Sequence, residues 1–325
     1  MPLTASQIHA VSLAAIREAA RGLEGVAVRT PLLDAPALSR RAGVPVGLKC
    51  EHLQPIGAFK IRGAYTAIAR VAREGQAAGV VTQSSGNHGQ AVAFAARAFG
   101  LRAVVVMPVA TPQVKVDGVR KHGGEVVFAG AIRSAEQLHR ASEIARDEGL
   151  VMIPPYDHPD VVAGQGTCGL EILEQRPEVE AILVPVSGGG LLAGISVAVA
   201  ALKPSVRVIA VEPEGAAKLT AALAAGSPQT LDRTESLADG LLTRSIGEFT
   251  FPILRQVVRE VVRVPEDAIA AAVRFLHHEC GVAAEPSGAV TTAALLAGGI
   301  PAGGPVVAVV SGGNVDPDLF QRLVR

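Results

Sequence analysis

The 325-residue chain carries 30 Lys and Arg residues and 30 Asp and Glu residues, so its formal charge is zero. Apolar residues make up 49% and aromatic residues 3% of the sequence, which indicates a globular protein with a sizeable core. Without a basic stripe or stacking aromatics, nothing favours nucleic acid or an anionic membrane surface as a partner. The cysteines form no paired motif, and the N-terminus lacks a signal-peptide pattern; both features favour a reducing cytoplasm. The three are Cys50, Cys168 and Cys280.

Short apolar runs alternate with helical patterns along the chain. Thr4–Gln7 has the form of a capping box and predicts a first helix that continues to about Leu23. The later runs are nearly continuous in hydrophobicity, so they predict strands covered on both faces, in parallel sheets with crossover helices. These strands are expected at 79–82, 103–106, 125–128, 181–184, 206–211 and 306–310. The order of elements assigns the α/β class.

The uncharged stretch from Ala181 to Leu202 is long enough to cross a bilayer. It contains Pro185 and four glycines, however, so a strand, a glycine loop and a core helix explain it better than a membrane span does. Composition alone allows a domain boundary near Pro154 and Pro155.

The first candidate site loop is residues 54–64, where Lys60 lies between Phe59 and Ile61 in the first turn of a helix. Apolar neighbours weaken the solvation of an ammonium and so favour a nucleophilic amine, which can bond to an aldehyde cofactor. Taken alone, the motif is explained as well by a surface lysine whose stem covers an apolar patch.

Two further loops join a strand to a helix. Residues 84–90 read Ser-Ser-Gly-Asn-His-Gly-Gln, and backbone N–H groups at such a turn bind a carboxylate or phosphate. An ordinary helix cap explains this loop equally well. Residues 187–194 contain three consecutive glycines, which predict a phosphate-binding loop.

The glycine loop also fits a different class of protein. Gly188, Gly190 and Ala193 match the dinucleotide-binding pattern, and Glu212 ends the following strand where a ribose-binding acid is expected. A nicotinamide oxidoreductase is therefore an alternative, although it leaves the lysine loop unexplained. Ligand-type residues at 50–52, 157–160 and 277–280 lack the paired spacing of a zinc site, and no Gly-x-Ser-x-Gly elbow occurs.

Taken in order, these loops resemble the fold-type II pyridoxal-phosphate enzymes, in the serine/threonine dehydratase and serine racemase family. The resemblance runs from Arg29 to Asn314 and includes further segments at 162–167, 238–241, 245–247, 285–289 and 311–314. It implies two open parallel-sheet domains of the tryptophan synthase β type, with pyridoxal 5'-phosphate in the cleft between them. It also implies a discontinuous large domain of residues 1–50 and 149–325 and a small domain of residues 51–148.

The resemblance assigns roles to individual residues. Lys60 is expected to hold the cofactor and act as a base, with Ser85 as a second catalytic group. The expected cofactor-binding residues are Phe59, Lys60, Asn87, Gly188, Gly189, Gly190, Leu191, Glu285 and Ser311. The substrate carboxylate is expected at Ser84, Ser85, Asn87 and His88.

The implied activity is β-elimination of water and ammonia from a small hydroxy-amino acid, with L-threonine or L-serine as the default substrate. The alternatives are serine racemase, which uses a serine at the position of Ser85, and hydroxyaspartate dehydratase, for which Arg133 would meet a second carboxylate. The family also implies a homo-oligomer, a dimer or a tetramer.

One position departs from the family pattern. The cation site of some members uses a glutamate, a backbone carbonyl and then an acidic residue, which here correspond to Glu212, Ala216 and Lys218. An ammonium cannot ligate a cation. We therefore expect either no metal site or a lysine that occupies its place.

Overall fold

The computed structural model describes residues 11–75, 77–84, 86–131, 135–298, 300 and 303–325. The predicted capping box at Thr4–Gln7 and the predicted site residues Ser85 and Arg133 lie outside these ranges. Helix α1 spans Leu13–Gly22 and is capped by Ser12, whose Oγ accepts a hydrogen bond from the Ala15 N–H at 3.2 Å. Ser12 has an extended backbone, so the prediction of one continuous helix up to Leu23 was wrong.

Ten strands and thirteen α-helices are described. The strands are β1 (Leu32–Asp34), β2 (Val46–Cys50), β3 (Gly79–Gln83), β4 (Arg102–Met107), β5 (Glu125–Phe128), β6 (Val151–Met152), β7 (Ala181–Pro185), β8 (Arg207–Pro213), β9 (Glu260–Val264) and β10 (Val306–Val310). The helices after α1 are α2 (Pro36–Ala42), α3 (Lys60–Glu74), α4 (Asn87–Ala98), α5 (Gln113–Lys121), α6 (Ala135–Glu148), α7 (Pro159–Gln175), α8 (Gly190–Leu202), α9 (Lys218–Ala225), α10 (Thr250–Val257), α11 (Glu266–Cys280), α12 (Pro286–Leu296) and α13 (Pro317–Val324).

The larger sheet has six strands in the order β1-β2-β10-β7-β8-β9, parallel except for the edge pair β1 and β2. Side chains alternate between its two faces, and both faces are buried. In β10, Val307 and Val309 pack into one core, whereas Val306, Ala308 and Val310 pack into the other. A strand covered on both faces is apolar at every position, which explains the hydrophobic runs in the sequence.

The smaller sheet has four parallel strands in the order β5-β4-β3-β6. Because β6 pairs with β3, this sheet extends beyond residue 148, where the sequence predicts that the small domain ends. The two parallel-sheet α/β units confirm the predicted fold class.

All six predicted strands are present, but four others were missed: β1, β2, β6 and β9. Each of the four carries a charged residue or is only two or three residues long, so its pattern is weak. In β2, Lys49 is completely buried, and only its tertiary partners make such a strand residue acceptable.

Helix α3 lies at the junction of the two units, packed against α4 on one side and α7 on the other. Its approach to α7 requires glycine, because a Cβ on Gly164 would lie 2.4 Å from the Arg62 carbonyl oxygen. The stretch from Ala181 to Leu202 forms β7, a loop and α8. No helix in the described part of the chain is long and apolar enough to cross a membrane.

Candidate active site

A cavity of about 220 Å³ lies between the two sheets, where the loops following parallel strands meet. The first turn of α3, the loop before α4, the glycine loop before α8 and residues of α12 and the β10 end all line it. Three of these segments are the loops that the sequence analysis selected. The predicted site residues in the described part of the chain that line this cavity are Phe59, Lys60, Ser84, Asn87, His88, Gly188, Gly189, Gly190, Leu191, Glu285 and Ser311.

Lys60 is the first residue of α3. Its Nζ donates a hydrogen bond to the Pro155 carbonyl at 2.5 Å and lies 5.2 Å from the centre of the Phe59 ring. The positive end of the helix dipole at this position disfavours a second positive charge. The amine is therefore placed in a partly apolar cavity, as the motif predicts.

The loop before α4 presents the start of a helix to the cavity. Gly86, the residue before the helix, supplies no side-chain cap to Asn87–Ala98. The Gly86 N–H donates to Ser84 Oγ at 3.2 Å, so the hydroxyl hydrogen of Ser84 remains available to another acceptor. The first N–H groups of α4 have no acceptor within the helix, which makes this end an anion-binding position.

His88 contributes differently from the prediction. Burial, followed by the nearby charge of Lys60, lowers the pKa of His88 to about 3, so the ring is neutral. Its Nε2 hydrogen is donated to the Ile153 carbonyl at 3.0 Å. A neutral imidazole has one N–H, so the ring has no donor left for a substrate carboxylate. Only the backbone N–H of His88 can serve that predicted role.

The glycine loop is held from behind. The Gly188 carbonyl accepts from Thr250 Oγ1 at 2.8 Å and from the Gly247 N–H at 3.1 Å. A Cβ on Gly188 would lie 2.3 Å from the Tyr156 ring, and Gly189 has a φ of +100°. Both positions therefore require glycine. The loop leaves the first N–H groups of α8 without acceptors inside the helix.

Asn87 is held between two residues of the opposite wall. Its Nδ2 donates to Glu285 Oε1 at 2.7 Å, and its Oδ1 accepts from Asn314 Nδ2 at 2.8 Å. These bonds fix which way the amide points, so the second hydrogen of Nδ2 stays available to an acceptor in the cavity. Burial, then the charge of Asp239, raises the pKa of Glu285 to about 8.

Four residues at or beside this site were not predicted. Tyr156 packs on the glycine loop, Ser287 Oγ accepts from the Gly240 N–H at 2.9 Å, and Thr250 supports Gly188. Asp157 Oδ1 accepts from the N–H groups of Phe249 and Thr250. Their positions follow long-range packing and carry no local motif of their own, although Ser287 lies within a segment that supports the family resemblance.

The segment from Glu212 to Lys218 is described away from this cavity. Lys218 Nζ donates to the Ala216 carbonyl at 2.7 Å and lies 4.0 Å from Glu212 Oε2, with both side chains fully buried. Burial lowers the pKa of Lys218 to about 8, although Glu212 opposes the shift. The lysine thus contacts both groups that correspond to the cation ligands of the family pattern. In the described residues, no cluster of three His, Cys, Asp or Glu side chains is suited to a metal.

Glu212 also argues against the dinucleotide alternative. Its carboxylate accepts from the Leu219 and Thr220 N–H groups, each at 2.9 Å, and from Thr220 Oγ1 at 2.7 Å. The side chain therefore caps α9, is fully buried and is not offered to a ribose.

The residues around the cavity fit pyridoxal phosphate. An amine, an apolar ring beside it and an amide donor surround one region, and a glycine-lined helix start suits a phosphate. Ser311 Oγ is buried and donates only a long hydrogen bond, 3.4 Å, to the Ser287 carbonyl. Its hydroxyl is therefore suited to face a neutral ring nitrogen. The assignment of each residue to an individual cofactor atom remains a prediction.

Comparisons with known proteins agree with this geometry. The family model described as "Pyridoxal-phosphate dependent enzyme" matches residues 23–312. The chain is 41% identical to L-threonine ammonia-lyase from Thermotoga maritima, covering 97% of this chain and 78% of that protein. It is 42% identical to L-threonine dehydratase biosynthetic IlvA from Escherichia coli, covering 90% of this chain and only 56% of that protein.

The structure is also similar to that of maize serine racemase, with a TM-score of 0.92, 38% sequence identity and 96% of each chain covered. The matches span both units and the cleft between them. The chain therefore belongs to the pyridoxal-phosphate-dependent enzymes of fold type II, the family that includes threonine ammonia-lyases and serine racemases.

Proposed function

We propose that this enzyme eliminates water from a small hydroxy-amino acid, L-threonine or L-serine, and that hydrolysis of the released enamine then gives ammonia and a 2-oxo acid. The observation that carries the proposal is the placement of the Lys60 amine and the uncapped start of α4 in the same cavity. One supplies a base and the other a position for the substrate carboxylate.

When bound, pyridoxal phosphate supplies an aldehyde that takes up an amino group and a ring that withdraws electrons from the neighbouring C–H bond. Groups of the protein itself bind the substrate and accept its proton. The Ser84 hydroxyl and the first N–H groups of α4 bind and orient the substrate carboxylate. The Lys60 amine then accepts the Cα proton at its Nζ. Tyr156 and Pro155 line the same cavity.

Ser311 favours elimination over transamination. A serine hydroxyl is neutral and cannot keep a ring nitrogen protonated as a carboxylate does. Charge developing at Cα is then less delocalised, and loss of the β-hydroxyl becomes the natural outcome.

The substrate side chain is proposed to be neutral. Among the described residues that line the cavity, the ionisable side chains are Lys60, His88, Tyr156 and Glu285. Lys60 has its own role, His88 is neutral, and none of the others attracts a second carboxylate. This supports threonine or serine over hydroxyaspartate, whose proposed partner Arg133 lies outside the described residues.

Serine racemase is the second candidate. It is favoured by the close structural likeness to maize serine racemase and by Ser85, which follows Ser84 in the sequence. Ser85→Ala separates the two activities: loss of racemisation with elimination from the L-isomer retained would support a role for Ser85 as a second proton-transfer group.

The test of the proposed function is 2-oxo acid release from L-threonine, L-serine, D-serine and threo-3-hydroxyaspartate with pyridoxal phosphate supplied. Rapid release from L-threonine or L-serine is expected. Lys60→Ala should abolish both release and the visible absorbance of lysine-bound cofactor, whereas Lys121→Ala, at an exposed lysine on α5, should change neither. Release from none of the four substrates by cofactor-loaded protein would refute elimination as the activity.

The cytoplasm and a dimeric or tetrameric assembly complete the proposal. The three cysteines are unpaired, which supports a reducing compartment. Light scattering of the purified holoenzyme measures the assembly, and a monomer would contradict it.

A further inference from the structure

A buried ionic network lies behind the helix that carries Lys60. The Arg62 side chain is 1% exposed, and Glu51 is not exposed at all. Arg62 binds Glu51 through Nε and Nη2, both at 2.8 Å. It binds Glu171 through Nη1 at 2.7 Å and Nη2 at 2.9 Å, and Thr167 Oγ1 through Nη1 at 2.9 Å. Two carboxylates are therefore gripped by one guanidinium, each at two points.

The network joins three separate segments. Glu51 follows β2 of the larger sheet, Arg62 lies on α3, and Glu171 lies on α7. Lys49 adds a second cation, since its Nζ donates to Glu171 at 2.5 Å and to the Thr30 carbonyl at 2.8 Å. Two cations thus face two anions. The cluster is balanced in charge, so its influence on the cavity is chiefly geometric.

Lys60 and Arg62 leave α3 in nearly opposite directions. Residues two apart on an α-helix are separated by about 200°, so the lysine reaches the cavity while the arginine points to the back of the helix. No side chain caps the start of α3; the preceding N–H, from Phe59, donates to the Ser311 carbonyl at 3.1 Å. The first turn is therefore held by the cavity wall in front and by Arg62 behind.

The energetics indicate that the network serves position more than stability. Buried ion pairs cost desolvation energy, and apolar residues of similar volume often stabilise a fold as well or better. The planar guanidinium holds each of the two carboxylates by two hydrogen bonds. These bonds fix the direction of the side chain as well as its distance, which apolar contacts do not.

We propose that Arg62 is a positioning residue, which ties the first turn of α3 to Glu51 and to Glu171 and so fixes where the Lys60 amine stands in the cavity. The proposal rests on the role given to Lys60 above. A lysine displaced by about 1 Å still bonds the cofactor but transfers protons from the wrong place, at a cost of about 100-fold in rate.

The experiment compares Arg62→Lys and Arg62→Met with wild-type holoenzyme. Arg62→Lys keeps a cation beside the two carboxylates but loses the paired contacts. Arg70→Met is the matched control, because Arg70 lies on the same helix and also pairs with α7, through Asp160, but is 57% exposed. Three quantities are measured: kcat and KM for 2-oxo acid release, the pH midpoint of the visible cofactor band, and the melting temperature.

For Arg62→Lys we expect kcat to fall by about 10- to 100-fold, with KM within about threefold of wild type and a shifted pH midpoint of the cofactor band. Arg62→Met should show the same kinetic pattern or a larger one, and Arg70→Met should match wild type in kcat and in the band. Wild-type kcat and an unshifted band in Arg62→Lys, whatever its melting temperature, would overturn the proposal.

If Arg62→Met does not fold, Arg62→Lys alone decides. If wild-type protein releases no 2-oxo acid, the proposed activity fails, yet the pH midpoint of the cofactor band and the rate at which hydroxylamine strips the cofactor from Lys60 still report the lysine's position. An unchanged midpoint and an unchanged stripping rate in Arg62→Lys would then overturn the role of Arg62 by themselves.

Discussion

Two buried glutamates, one behind α3 and one in the cavity wall, have pKa values shifted in opposite directions. Glu51 is fully buried, which by itself raises the pKa of a carboxyl, but the charge and hydrogen bonds of Arg62 outweigh burial and lower its pKa. Glu285 is 4% exposed, and its side chain accepts a hydrogen bond from the neutral amide of Asn87. Its pKa is raised to about 8 by burial and then by Asp239.

The two glutamates differ in whether a positive charge contacts the buried carboxyl group. Around Glu51, every charge has a counter-charge in contact, and the cluster holds segments together. Glu285 has no cation in the contacts described, and Lys115 lowers its pKa only from a distance. A buried acid with so little compensation, beside a cavity, is typical of a site that handles charge.

The largest expected loss of stability comes from removing the charge of Glu51, the glutamate that is paired with Arg62. Glu51→Gln leaves Arg62 with one fewer negative partner in a buried place, and removing one member of a buried pair typically costs about 3–5 kcal/mol. The free energy of unfolding in urea measures it. Glu125→Gln, whose pair with Arg102 is exposed, should cost less than about 1 kcal/mol. Equal losses in the two variants would contradict the comparison.

Glu285→Gln should change how the free energy of unfolding depends on pH. The folded-state pKa of Glu285 is about 8 against an ordinary 4.5, so the folded protein binds the extra proton between these values. Stability contributed by this group is therefore full below about pH 4.5 and is lost as the pH rises to about 8.

Glutamine does not titrate, so the Glu285→Gln variant should not lose this stability as the pH rises. Without cofactor, its free energy of unfolding should match wild type near pH 4.5 and exceed it at pH 8 by a few kcal/mol. Urea unfolding at the two pH values checks this. Parallel profiles for variant and wild type would mean that Glu285 titrates normally.

The ion pair between Lys115 and Asp239 tests the origin of the raised pKa of Glu285, because both of its charges act on that carboxyl group. The pair joins the small unit to the large one. Asp239→Asn should lower the pKa of Glu285, and Lys115→Met should raise it, each by about one unit or less. The midpoint of the stability change with pH reports both shifts. The double variant should return towards wild type; two shifts in the same direction would refute the assignment.

The smallest expected effect concerns divalent cations. Lys218 already lies between Ala216 and Glu212, so we expect chelation or added magnesium to change the activity less than about twofold. Assays with and without a chelator measure this. Strong activation by magnesium or calcium would show that a cation binds in spite of the lysine.

Local pattern was sufficient for the parts of the fold whose burial is uniform. The run at 306–310 coincides with β10, and the run at 181–184 lies within β7. Every residue of these two strands is buried, and a strand covered on both faces is apolar throughout. Strand β2 was missed because its Lys49 contradicts that pattern until Glu171 and the Thr30 carbonyl are placed beside it. The order of the three loops and of the further segments between Arg29 and Asn314 was likewise enough to indicate the family and its cofactor.

The sequence by itself determined the α/β class and the family, since these depend on periodicity and on short motifs that keep their spacing along the chain. Only the tertiary structure decided the protonation state of His88, the opposite states of Glu51 and Glu285, and the anchoring of α3 by Arg62. Those properties depend on burial and on partners far apart in sequence, such as Asn87 and Glu285, separated by 198 positions. Burial and long-range contact set the energy of a charge, and neither is written in its immediate neighbours.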